Sequence, residues 1–157
     1  MNSNQQVSDY IFFYPDVMDR KTCNWIINRY DTTAKWQQST FSTAYENTGT
    51  SQVAMDDYWI RSPEPYYKDL KKTFDYCVND YISVHDKIHS KDLTPFRINR
   101  YGKGGFMKQH IDGIHHSHGQ KQGYPHLTSL IFLNDDYEGG DFVLCGDKYI
   151  EKIQGSA

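Results

Sequence analysis

The chain has 157 residues, a formal net charge of −3, 38 % hydrophobic and 15 % aromatic residues. That length suits one domain with a real core and is short for two. The mild acidity leaves no basic footprint for nucleic acid, and no apolar run is long enough for a membrane span. Residues 1–9 are polar, lack the basic and apolar regions of a secretory leader, and read as a frayed terminus. Cys23, Cys77 and Cys145 form no close pair, so reduced thiols and a cytoplasmic location are expected.

Residues 10–95 form a support region. Ile11–Phe13 is a short apolar run stopped by Pro15. Asp19 is a candidate N-cap, and Cys23, Ile26, Ile27 and Tyr30 follow at helical spacing, predicting a helix over 20–31. From Ala34 to Arg61 the chain is rich in Thr, Ser, Gln and Asn, with Gln52–Ile60 the best strand candidate. Pro63 and Pro65 then open a second helix to about His85, with Tyr67, Leu70, Phe74, Cys77 and Tyr81 on its apolar face. Lys68–Lys72 reads as a solvated helix face.

The pattern changes after Pro95. Residues 96–101, 106–111, 127–133, 141–144 and 148–153 are short β-type runs separated by glycine-rich turns. The expected class is therefore mostly β with flanking helices, residues 96–157 forming a jelly-roll core.

Chemistry concentrates in the same region. His110, His115, His116, His118 and His126 fall close together, and His110-Ile111-Asp112 is the sharpest element. On a strand, positions i and i+2 share a face, so the imidazole and the carboxylate can converge on one metal ion. With one further His they would complete a facial triad, which leaves coordination positions open. His115, His116 and His118 read as a solvated loop, with substrate contact or adventitious metal binding as alternatives. Cys145 reads as a small core or edge residue.

The order of motifs is more specific than His-x-Asp alone. Arg97 to Asp112 is strand, Gly102-Lys103-Gly104-Gly105 turn, strand and His-x-Asp. It is followed by the apolar run 127–133, Asn134, Gly139-Gly140 and a further strand. This arrangement resembles the prolyl 4-hydroxylase-like Fe(II)/2-oxoglutarate-dependent dioxygenases over about 96–157, and more weakly at Asp16–Tyr30. The resemblance implies a double-stranded β-helix and the hydroxylation of a C–H bond. The reaction would consume O2, convert 2-oxoglutarate to succinate and use ascorbate as a further cofactor. It makes His110 and Asp112 the catalytic metal ligands and places Tyr101 at 2-oxoglutarate, with Thr128 at its distal carboxylate. Asn99 joins Tyr101 by strand alternation. For Tyr101 and Thr128 the alternatives are ordinary strand packing. Gly139-Gly140 reads as a tight turn.

The family pattern also has a downstream His and a Lys or Arg that pairs with 2-oxoglutarate. Neither follows Asp112 at a suitable place. Residues 155–157 read either as an appended Gly-Ser-Ala or as the start of the strand leading to that His, so the chain looks truncated before it. Two ligands alone imply weak Fe(II) binding, little turnover and an open barrel edge that favours self-association. The substrate would be a peptidyl proline, another protein or peptide, or a small molecule. The rival expectation is a non-catalytic fragment that binds metal through its His-rich loop or packs against a partner.

Overall fold

The computed structural model describes residues 6–42, 47–49, 52–85, 87–88, 93–112 and 127–157. Among the described residues, two α-helices, α1 (Arg20–Thr33) and α2 (Tyr67–Val84), and a 3-10 turn over Val7–Tyr10, within the stretch expected to fray, stand with nine short strands. These are β1 (Gln37–Gln38), β2 (Phe41–Ser42), β3 (Asn47–Gly49), β4 (Val53–Ala54), β5 (Asp56–Ile60), β6 (Phe96–Arg100), β7 (Phe106–Met107), β8 (Phe142–Leu144) and β9 (Lys148–Ile150). All pairings are antiparallel: β1–β5–β6 in one sheet, and β2–β3, β4–β7 and β8–β9 as pairs. The result is a mixed helix-and-sheet fold rather than a mostly β one, and the described strands form no closed barrel. No helix among the described residues is long and apolar enough to cross a membrane.

α1 begins where expected. The Asp19 carboxylate accepts from the Thr22 N–H and hydroxyl, satisfying an otherwise orphan donor of the first turn. These hydrogen bonds hold the Asp19 carboxyl below its ordinary value. α2 starts later than the prolines imply. Pro65 precedes Tyr66, which takes a left-handed backbone conformation as the N-cap, and Ser62–Pro63 is cis. The Glu64 carboxylate gathers this turn, accepting from the Arg61 N–H and the Tyr58 hydroxyl.

The core lies where the apolar faces of both helices meet one face of β5–β6. Met18, Cys23, Ile26, Tyr30, Ile60 and Leu70 are its buried centre, with Tyr58, Phe74, Phe96 and Ile98 packed around it. Cross-strand register explains the selection: Tyr58 pairs with Ile98 and Ile60 with Phe96, all on the inner face. The alternate pairs, Asp57 with Asn99 and Trp59 with Arg97, lie on the outer face.

The ladder continues past β6 with an excursion. Asp56 pairs with Arg100 but Ala54 pairs with Phe106, so two steps on one strand are matched by six on the other. The surplus loops out through the glycine turn, which a Gly105 N–H to Gly102 carbonyl hydrogen bond of 2.8 Å closes. A Cβ on Gly105 would press the Ala54 and Gly102 carbonyl oxygens, so this close approach requires glycine.

The last residues are built into the fold rather than appended to it. Tyr14 and Ala157 exchange two backbone hydrogen bonds, Met18 N–H donates to Gly155, and Phe132 exchanges bonds with Gly155 and Ser156. Residues 154–156 are buried, and Gly155 adopts φ +87° with its α-carbon against the Met18 carbonyl. The expected strand 127–133 is irregular chain, joined to the last residues through Phe132, and the expected strand 148–153 narrows to β9. The β8–β9 turn carries Cys145 in a left-handed conformation, exposed rather than in the core.

Candidate metal and carboxylate-binding site

Two groups of the expected site residues come together. β7 delivers the chain to His110, whose Nδ1 lies 2.8 Å from the Lys108 carbonyl oxygen. A carbonyl only accepts, so Nδ1 carries the proton. In the neutral ring that leaves the Nε2 lone pair directed at Asp112 Oδ1, 3.1 Å away. Two acceptors cannot face each other at that distance without a cation between or beside them. A proton on Nε2 satisfies them as an imidazolium–carboxylate pair, and a metal ion satisfies them as two ligands. Donors bound at about 2.1 Å and 90° apart stand about 3 Å from each other, which the observed separation matches.

The other Asp112 oxygen is also fixed. Thr128 donates its hydroxyl to Oδ2 at 2.6 Å. Thr128 is thereby an orienting group for Asp112, a role distinct from the expected contact with a distal carboxylate. Outer hydrogen bonds of this kind fix the ring and carboxylate orientations of metal ligands. The His110 and Asp112 side chains are 27 % and 49 % exposed, so a ligand can reach them. The expected strand 106–111 narrows to β7, so His110, Ile111 and Asp112 lie on irregular chain beyond it, with the Ile111 side chain in solvent.

The second group lies on the outer face of β6. Asn99 faces outward from β6 and lies near the exposed Tyr101 just beyond the strand's end. Tyr101 is 49 % exposed as a residue, yet burial of its phenol raises it above its ordinary value. The Arg97 guanidinium counters that rise, which places its charge within reach of the hydroxyl. Arg97 itself sits over the Trp59 ring at 5.6 Å. Tyr137 approaches from the other end, and Lys152 lies over its ring at 4.9 Å. Neither Arg97 nor Trp59 was an expected site residue. The signal was available, since Arg97, Asn99 and Tyr101 are alternate residues of the β-type run 96–101, of which β6 takes in all but Tyr101.

His115, His116, His118 and His126 lie outside the described residues. Among the described residues, no three His, Cys, Asp or Glu side chains gather into a group able to hold a metal. A cavity of about 320 Å³ lies elsewhere, lined by Arg20, Asn24, Asn134, Asp135 and Gln154 among others. Its polar groups are spent on one another: Arg20 pairs with Asp135 at 2.8 Å and Gln154 donates to Asn24 and to the Leu133 carbonyl. It serves to clasp the chain around Gln154.

No family model matches this chain, and neither a curated protein nor a solved structure does.

Proposed function

We propose that the chain carries the metal and co-substrate face of an Fe(II)/2-oxoglutarate-dependent dioxygenase of the prolyl 4-hydroxylase-like type, built on a double-stranded β-helix. The observation that carries this reading is the opposed His110 Nε2 and Asp112 Oδ1 pair at 3.1 Å, with the far side of each group already engaged. That arrangement sets an imidazole nitrogen and a carboxylate oxygen side by side, at the separation of two adjacent positions of an octahedral ion. When bound, Fe(II) and 2-oxoglutarate would supply the oxidising chemistry, with O2 consumed, succinate and CO2 released and a substrate C–H bond hydroxylated.

The chain's own part is positioning. Lys108, through its carbonyl, holds the His110 ring with Nε2 outward. Thr128 holds Asp112 so that Oδ1 points at the same place. Tyr101 and Asn99 offer hydrogen bonds to a carboxylate, and ascorbate serves as reductant. The third protein ligand falls to one of His115, His116, His118 and His126 or to a residue beyond this sequence. The substrate that the family resemblance implies is a peptidyl proline.

A second reading has one observation in its favour: no third ligand stands among the described residues. In it, His110 and Asp112 are an imidazolium–carboxylate pair and the domain binds metal only through its histidine-rich loop, or packs against a partner without catalysis.

Succinate release from 2-oxoglutarate, with Fe(II), ascorbate and a proline-rich peptide, separates the two. The oxygenase reading expects turnover that disappears in both His110→Ala and Asp112→Ala. Turnover that survives both substitutions contradicts it, as does absence of turnover from a chain extended by a downstream His and a Lys or Arg.

A further inference from the structure

The cations of β6 and of the last strands differ in what they have left to offer. Arg100 is held by Asp31 at 3.0 Å and Asp56 at 2.9 Å, and lies over the Trp36 ring at 4.2 Å. Lys152 donates to the Gly139 carbonyl and lies 3.4 Å from Asp141. Lys148 is beside Asp147 at 3.4 Å. Thr128, the other group expected to meet a distal carboxylate, gives its hydroxyl to Asp112. Arg97 alone of these has no carboxylate partner among the described residues. It is also steadied, since the Trp59 ring beneath it limits the conformations the guanidinium samples.

We propose that the outer face of β6 is a carboxylate-binding site in which Arg97 pairs with the ligand's carboxylate, Trp59 supports the guanidinium, and Asn99 and Tyr101 hydrogen bond with the same ligand. A guanidinium presents two parallel N–H donors to a carboxylate, the geometry of its strongest pairs. A phenol and an amide complete a donor row along positions 97, 99 and 101. The Tyr101 hydroxyl remains protonated and able to donate, because burial raises it. Asp57 stands across from Asn99 on the same face and opposes a ligand's negative charge. The favoured ligand is therefore one whose carboxylate sits at the Arg97 end, away from Asp57. Identification of that ligand as 2-oxoglutarate rests on the oxygenase reading, in which Arg97 takes the anchoring role otherwise expected of a downstream Lys or Arg.

The test is calorimetric titration of the full chain with 2-oxoglutarate and with glutarate, which lacks the 2-oxo group and cannot chelate a metal through it. Each is titrated with and without Mn(II) as a redox-silent substitute for Fe(II). Arg97→Gln is expected to weaken both ligands about tenfold or more, the scale of one lost charge-assisted pair. Arg97→Lys should stay nearer the parent, and Asp57→Asn should tighten both. Equal melting temperatures show that each variant keeps its fold. Unchanged affinity in Arg97→Gln, or no binding of either ligand to the parent chain, overturns the proposal. If the two ligands bind alike, indifferent to Mn(II) but sensitive to Arg97→Gln, the carboxylate site stands and the oxygenase reading falls. If 2-oxoglutarate binds tighter with Mn(II) yet ignores Arg97→Gln, the oxygenase reading stands and the Arg97 site falls.

Discussion

The two faces of the β5–β6 ladder are made from alternate residues of the same strands and finish very differently. Inward, Tyr58, Ile60, Phe96 and Ile98 pack against both helices, and Arg100 at the end of the row has two carboxylates and an aromatic ring to itself. Outward, Trp59, Arg97, Asn99 and Tyr101 stand partly in solvent, with a guanidinium that has no carboxylate among the described residues. Burial separates the apolar pairs of the inner face from the outer row. Arg100 is itself partly exposed, and what sets it apart from Arg97 is its two carboxylate partners. The inner face carries stability, and in the proposal above the outer face serves recognition.

Substitutions that divide along this line test it. Ile60 is fully buried, so Ile60→Ala should cost about 2–5 kcal/mol in chemical denaturation, the range for a core truncation that leaves a cavity. Arg97→Gln, one strand away and facing out, should change stability by no more than about 0.5 kcal/mol. A loss at Arg97 approaching that at Ile60 would break the distinction.

A smaller effect sharpens the same point through a carboxylate that is already satisfied. Asp135 accepts from the Gln154 N–H at 3.1 Å and from Arg20, and these hold its carboxyl below the ordinary value. A depressed folded-state pKa means that the stabilisation is present above the unfolded value, about pH 3.9. It is lost as pH falls through the lower folded value. Melting temperatures of the parent and Asp135→Asn should therefore differ near neutrality and converge in acid. A difference that stays constant down to pH 2 would show that the carboxylate's charge is not what clasps Gln154.

The parts of the fold legible in the sequence are those decided by neighbours. The α1 periodicity and its Asp19 cap, the α2 apolar face, and the strand before Ile60 follow from residues a few positions apart. What distant segments decide was not legible. The expected jelly roll rested on strand spacing, but spacing does not say that Phe132 pairs with Gly155 and Ser156, nor that Ala157 pairs with Tyr14. Gly155 reads equally as part of an appended Gly-Ser-Ala or as a strand start, because the group it packs on, the Met18 carbonyl, lies far off in the chain. The helix start after Pro65 was misjudged because Tyr66 adopts a left-handed conformation that only its packing on the core explains. At the site, His110 and Asp112 do meet, but on irregular chain beyond β7 rather than on the strand from which their shared face was argued. Nothing local signals that Thr128 turns to Asp112, a contact between residues sixteen positions apart.

The central claim is that His110 and Asp112 face each other in order to share a metal ion. Mn(II) binding to the full chain, followed by electron paramagnetic resonance with and without 2-oxoglutarate, tests this most directly. The account predicts a bound signal that strengthens when 2-oxoglutarate is added. That signal should be lost in His110→Ala and in Asp112→Ala and only weakened in Thr128→Val, which removes an orienting hydrogen bond but no ligand. Mn(II) binding that persists in both alanine variants, or that is absent from the parent chain with 2-oxoglutarate present, would contradict it.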